Sequence, residues 1–526
     1  MTKPTLLLLA AVALHAQTLP YERIVNAARE PGNWLTYSGN YSSHHYSALA
    51  QINRLNVARL KPAWIYQVRG REHFEAMPIV FDGVMYITDP PSDVTALDVR
   101  TGRPLWHYRR AIPEGIAACC GQVNRGVAVL DDQVFVETID AHLVALDAKS
   151  GAVRWDVEAA DYKQAITLTA APLAIKDKII VGMAGAEYGV RGFLDAYDAK
   201  TGRRAWRFWT TPGPGEPGNE TWAGDSWKRG GATTWVTGSY DPELDLVYWG
   251  TGNPGPDYDG TVREGDNLYS DSVIALSGST GKRKWHFQFL PHDVNDLDSN
   301  QIPVLLNAPW QGKPRKLMLF ANRNAFYYVL DRETGEFLRA TQFTRQNWAK
   351  GIDAKGRPIP TNTTTANADG VLVYPDDDGS SNWFSPSYSP RTGLFYQNVR
   401  EKGAYYYKAD TRFRPGQMYL GATKRDIPNE EPYGTMKALR ALTGEKVWEF
   451  RMHSPPWCGV LATAGDVVFS GTMEGDFFAL DAWTGKVLWR FQTGGEIWAN
   501  PISYRSEGKQ YVAIAAGSAL MVFGLD

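Results

Sequence analysis

Short runs of alternating apolar and polar residues recur along most of the chain. "VMYITD" at 84–89, "QVFVET" at 133–138 and "KIIVGM" at 178–183 each have the period and the β-branched content of a strand. Each is followed by a second run that turns on a Thr-Gly or Ser-Gly pair and ends on Trp. The copies read "ALDVRTGRPLW" to Trp106, "ALDAKSGAVRW" to Trp155, "AYDAKTGRRAW" to Trp206, "ALSGSTGKRKW" to Trp285, "ALRALTGEKVW" to Trp448 and "ALDAWTGKVLW" to Trp489. "VLDRETGEFLR" keeps the pattern without Trp, and "LNVARLKPAW" is a partial first copy ending at Trp64.

Each copy predicts strand, tight turn, strand, with Gly in the turn because it takes positive φ without a steric cost. A Trp at one offset after every turn predicts that successive sheets pack through it. Several copies sit about 40 to 50 residues apart, the spacing of propeller blades. The pattern therefore predicts an all-β chain, a β-propeller of about eight blades with tryptophan-docking repeats. Wider gaps before Trp285 and between Asp331 and Trp448 predict long insertions, which in a compact domain are functional or disordered.

Composition changes this picture little. The 526 residues carry a net charge of -2, which offers no electrostatic case for nucleic acid or a membrane surface. The 19 Trp and 50 Gly suit many short strands with tight turns. The N-terminus is more informative. "MTKPTLLLLAAVALHAQTLP" has Lys3, an apolar run from Leu6 and small residues at Ala13 and Ala16. It reads as a secretory signal over residues 1–16, too short to span a bilayer, although Leu14 is unusual ahead of a cut after Ala16. Residues 17–526 are then expected to form one exported propeller domain in the periplasm, where disulfides persist.

With "CCGQVNRG", "GAEYGVRG", "GTGNPGP" and "HDVNDLD" in this order, nearly the whole mature chain resembles the quinoprotein alcohol dehydrogenases. That resemblance implies eight blades, the cofactor pyrroloquinoline quinone (PQQ), one metal ion and a small alcohol substrate. It also implies hydride transfer to C5 of PQQ and a separate electron acceptor such as a cytochrome c. The chain has no Cys-X-X-Cys-His and hence no attached haem c.

The adjacent cysteines Cys119 and Cys120 stand in the first of these motifs. Neighbouring Cα atoms lie about 3.8 Å apart, shorter than the usual disulfide separation, so a bond between them is strained. The resemblance implies such a bond, rigid and flat against one face of PQQ; two reduced thiols in a core are the alternative. Trp235 in "GGATTW" matches the family's stacking Trp on the other face. Glu75, Arg125, Thr169, Ala184, Gly185, Thr233 and Arg323 match further cofactor contacts, and Asn398 and Trp457 are aligned across the long insertion. PQQ carries three carboxylates and an ortho-quinone, so cations and donors are the groups its rim needs.

Glu187 and Asn253 match the family's metal ligands, and Asp296 its catalytic base beside the metal, with Arg323 near the quinone oxygens. Asp298, two residues on, sits where lanthanide-dependent members carry Asp and calcium enzymes commonly a small neutral residue. A trivalent ion favours the added carboxylate, so a lanthanide is expected, with Ca²⁺ the alternative. Asn295 replaces the Trp that often precedes the catalytic Asp, which reshapes the expected substrate pocket. A PQQ-dependent sugar or polyol dehydrogenase shares these features, and a non-catalytic assembly propeller shares the repeat. The pattern does not set the oligomeric state; a homodimer stays open beside a monomer. Cys458 has no partner in the sequence count.

Overall fold

In a computed structural model, residues 18–70 and 72–525 are described. The expected signal segment lies outside them. Among the described residues eight blade sheets follow one another, seven of four antiparallel strands and one in which Tyr46–Ser47 adds a fifth, parallel strand; the last is made by Ile502–Ser506, Lys509–Ala516 and Ala519–Gly524 with Lys61–Gln67 as its outer strand. The two chain ends thus close the ring in one sheet, which is why the partial repeat ending at Trp64 has no strands of its own before it.

The repeat proves to be the third and fourth strands of each blade. In the first blade these are Asp93–Asp98 and Pro104–Tyr108, joined through Thr101 and Gly102. The Gly102 amide donates to the Asp98 carbonyl at 2.9 Å. The Gly residues of the seven such turns have φ between 68° and 77°. Six of the seven repeat Trp side chains then dock on the turn of the following blade, and Trp489 packs on Phe477 and Phe523 instead. The Trp64 indole donates to the Val99 carbonyl at 3.0 Å, Trp106 to Ala148 at 3.0 Å, and Trp155 to Ala199 at 3.1 Å. Trp206, Trp285 and Trp448 repeat the bond to Gly278, Arg332 and Ala482. In the blade that lacks Trp, Thr341 Oγ1 donates to the Thr443 carbonyl at 2.7 Å instead.

This docking makes a prediction. A Cβ on Gly102 would lie 2.4 Å from the Trp64 ring, and its φ of +68° disfavours any L side chain. Gly102→Ala is expected to cost about 2–4 kcal/mol, the sum of a left-handed residue and an overpacked contact. Chemical denaturation should show an earlier midpoint than wild type, and an unchanged midpoint would remove the interlock from the account.

The long insertions are ordered. Ala349–Ile352 pairs with Pro358–Pro360, and Val371–Val373 joins Ala404–Lys408 and Ala422–Asp426 in a small sheet beside the ring. No helix among the described residues is long and apolar enough to cross a membrane.

Antiparallel order places the Thr-Gly turns at one end of the ring. The links between second and third strands, and from one blade to the next, gather at the other. The second set builds the site.

Candidate active site

A cavity of about 360 Å³ opens among these links, and every blade contributes to its wall. Its base is a buried cation between two indoles. The Arg125 guanidinium lies 5.0 Å from the ring of Trp235 and 5.0 Å from that of Trp383. It pairs with Glu75 at 2.8 Å and donates to Thr169 Oγ1 at 3.0 Å. Burial outweighs the Arg125 charge and pushes the Glu75 carboxyl up to about 6. Ala184, Gly185, Thr233 and Trp235 also face the cavity, as do Cys119 and Cys120.

The paired cysteines need a correction. Both are free thiols, with Sγ atoms 2.7 Å apart, beyond the roughly 2.05 Å of a disulfide. They stand beside Glu187: the three ligand-type atoms lie within 4.8 Å of one another. The Cys120 bond, burial and the Glu187 charge raise the Cys119 thiol well above its usual range.

Asp296 and Asp298 come from the link between the fourth and fifth blades, and Arg323 from the fifth blade. Arg323 pairs with Asp298 at 3.0 Å and lies 3.6 Å from an Asp296 oxygen. It also donates to the carbonyls of Asp296 and Asp377. Burial alone would lower its pKa, but Asp298 and Asp296 reverse that and hold it charged. Asp298 accepts from the backbone N–H of Asn253 at 2.6 Å and the Trp235 indole at 3.0 Å. Asp296 has φ of 57°, a left-handed conformation that Asp tolerates better than bulkier residues. Burial, then its acidic neighbours Asp257 and Asp298, push its carboxyl well up. Burial does the same to Glu187, whose Oε2 has no hydrogen-bond partner.

Asn253 does not reach the wall itself; it lies behind Asp257, which does. Asn398 is a second correction. It belongs to the strand Leu394–Glu401, not to a link, and is fully buried inside its blade. Its amide donates to the Cys458 carbonyl and to Ser470. The asparagine that faces the cavity is Asn382, next to Trp383. A signal for this pair was present: Trp383 precedes Ser387 by the same interval that separates Trp235 from Ser239, and both serines open the first strand of a blade. Trp457 does line the cavity, near the mouth, stacked on Trp498 at 5.3 Å, with His73 stacked on the far side at 3.9 Å. Met418 and Leu420 of the insertion complete this mouth. Cys458 is buried just outside the site.

A cavity with an arginine between indoles, two further carboxylates on a second arginine and unpaired oxygens beside them suits a flat polyanion and a hard cation. The comparisons agree. The profile of the PQQ family described as "Glucose/ethanol/alcohol dehydrogenase, beta-propeller domain" matches residues 34–344 and 417–512. The quinoprotein alcohol dehydrogenase PedH of Pseudomonas putida is 38% identical over 97% of this chain and 90% of its own. The lanthanide-dependent methanol dehydrogenase of Methylacidiphilum fumariolicum is 37% identical over 94% of this chain and 86% of its own. A solved europium-containing methanol dehydrogenase superposes with a TM-score of 0.91 at 34% identity, covering 96% of this chain and all (100%) of that one. The chain belongs to the PQQ-dependent quinoprotein alcohol dehydrogenases.

Proposed function

We propose that the mature chain, residues 17–526, is a periplasmic enzyme that oxidises a primary or other small alcohol to the aldehyde and passes electrons to a separate cytochrome c-type acceptor. The observation that carries this reading is the Asp296 carboxylate on the cavity wall, 3.6 Å from the buried Arg323.

The residues present fit both groups. The Arg125 and Arg323 Nε atoms are buried without partners, which suits the carboxylates and quinone oxygens of PQQ. Trp235 would cover one face and the Cys119–Cys120 pair the other. Glu75, Thr169, Thr233, Ala184 and Gly185 would set the rim, with Asn382 in the place first given to Asn398. Glu187, Asn253 and Asp298 would hold the metal beside Asp296. When bound, PQQ supplies the two-electron acceptor and the metal a Lewis acid that polarises its C5 carbonyl.

The chain's own part is to position the alcohol and move its proton. Oxidation to the aldehyde removes a hydride from carbon and a proton from the hydroxyl. Asp296 accepts that proton on a carboxylate oxygen, and Arg323 steadies the charge before the transfer. The stacked rings of His73, Trp498 and Trp457 form an apolar entrance that excludes bulk water.

Metal choice gives the test. Asp298 adds a charge that a trivalent ion repays more than Ca²⁺ does. Metal-free protein reconstituted with PQQ and La³⁺ should reduce dye with alcohols faster than with Ca²⁺, and Asp298→Ala should erase the preference. Activity with Ca²⁺ and none with La³⁺ would overturn the lanthanide reading. Turnover of sugars or polyols but not simple alcohols would replace the substrate class.

A further inference from the structure

Asp257 follows Asn253 in the turn "NPGPDY" and was not singled out by any motif. It is 1% exposed, yet it lines the cavity. Neither of its carboxylate oxygens has a hydrogen-bond partner. Asn253 is the one side chain placed to donate to it, but its amide nitrogen falls outside hydrogen-bond geometry and is itself buried and unpartnered. Glu187 Oε2, from the neighbouring blade, is a third unpartnered carboxylate oxygen here.

The nearby cations do not serve Asp257. Arg263 spends its donors on the carbonyls of Pro256 and Asp293 and on Asn267 Oδ1. Arg323 directs its two terminal nitrogens to Asp296, Asp377 and Asp298, and its unpartnered Nε makes no bond to Asp257. The turn cannot swing outward to hydrate the carboxylate. Ala232 N donates to the Asn253 carbonyl at 2.8 Å, Gly255 N to Gly230 at 3.2 Å, and Tyr258 N to Leu420 at 2.9 Å. A Cβ on Gly255 would sit 2.6 Å from the Arg229 carbonyl, so the turn is wedged against the 3-10 helix Ser226–Arg229. A buried carboxylate with no donor is costly, and a cation among its oxygens removes the cost.

We infer that Asp257 is a further carboxylate of the metal centre and that it tunes this centre toward a trivalent ion. The inference rests on the cofactor reading above. Glu187, Asp257, Asp296 and Asp298 together bring four negative charges to the cavity, close enough to act on one another, and Arg323 offsets one of them. A trivalent cation balances the remainder; a divalent one leaves a charge buried. Oxygen-only ligation at this charge density suits a large hard ion.

The experiment compares PQQ-loaded wild type with Asp257→Asn, an isosteric change. Tb³⁺ is titrated in, read by its luminescence sensitised by the nearby indoles, with Ca²⁺ as competitor. We expect the variant to bind Tb³⁺ at least tenfold more weakly, to lose less for Ca²⁺, and so to narrow the selectivity. The metal-free variant should also melt at a higher temperature than metal-free wild type, because the unpaired charge is gone, and should gain less on adding Tb³⁺. Equal Tb³⁺ affinity in the two proteins would overturn the role of Asp257 and leave the metal reading standing. A lower melting temperature of the metal-free variant would also overturn it, by showing that the carboxylate has a structural partner. Failure of wild type itself to bind Tb³⁺ or Ca²⁺ would bring down the metal reading and this inference together.

Discussion

Asp296→Asn is expected to lower the rate of alcohol oxidation by about two to four orders of magnitude while PQQ stays bound, the range a positioned general base contributes. The amide has the shape of the carboxylate but cannot take the hydroxyl proton. The fold should tolerate it. Asn accepts the left-handed backbone at this position, φ 57°, as readily as Asp does. The Arg323 bond to the residue's carbonyl, 3.0 Å, does not involve the side chain. Dye-linked turnover measured beside the absorbance of bound PQQ separates the two effects. Near wild-type turnover would mean that another group is the base.

Trp235→Ala should weaken PQQ binding by close to two orders of magnitude. A ring face of roughly 100 Å² removed from contact, at about 25 cal/mol/Å², amounts to about 2.5 kcal/mol. The indole also has neighbours to lose. It donates to Asp298 at 3.0 Å, and the guanidinium groups of Arg125 and Arg323 lie 5.0 and 5.8 Å from its ring. Trp235→Phe keeps an aromatic face and gives up the hydrogen bond, so its loss in affinity should be much smaller. Fluorescence titration of the three proteins with PQQ tests this. Unchanged affinity in the Ala variant would remove Trp235 from the cofactor slot.

The ring was legible along the chain because its parts are local. Alternation over a few residues, a Thr-Gly turn and a Trp at a fixed offset are interactions between near neighbours and between consecutive blades. Composition could not blur them, and the blade count followed. The motif loops were legible for a different reason: "CCGQVNRG", "GAEYGVRG" and "HDVNDLD" carry their resemblance as intact strings. Where a string was interrupted, the reading slipped. The insertion before Asn398, which holds Ala349–Ile352 and Val371–Val373, loosened the alignment there, and the asparagine at the cavity is Asn382.

Other properties belong to no segment. Trp235 and Trp383 matter because Arg125 lies between them, and the three stand on different blades. Glu75 is pushed up to about 6 by burial under links far away in sequence. Asp257 looks like any turn aspartate until Arg263 is seen to spend its donors elsewhere and the turn to be pinned at three amides. Spacing along a strand records which face a side chain takes. Which charges meet, and which are left without a partner, is decided only where links from all eight blades converge on one axis.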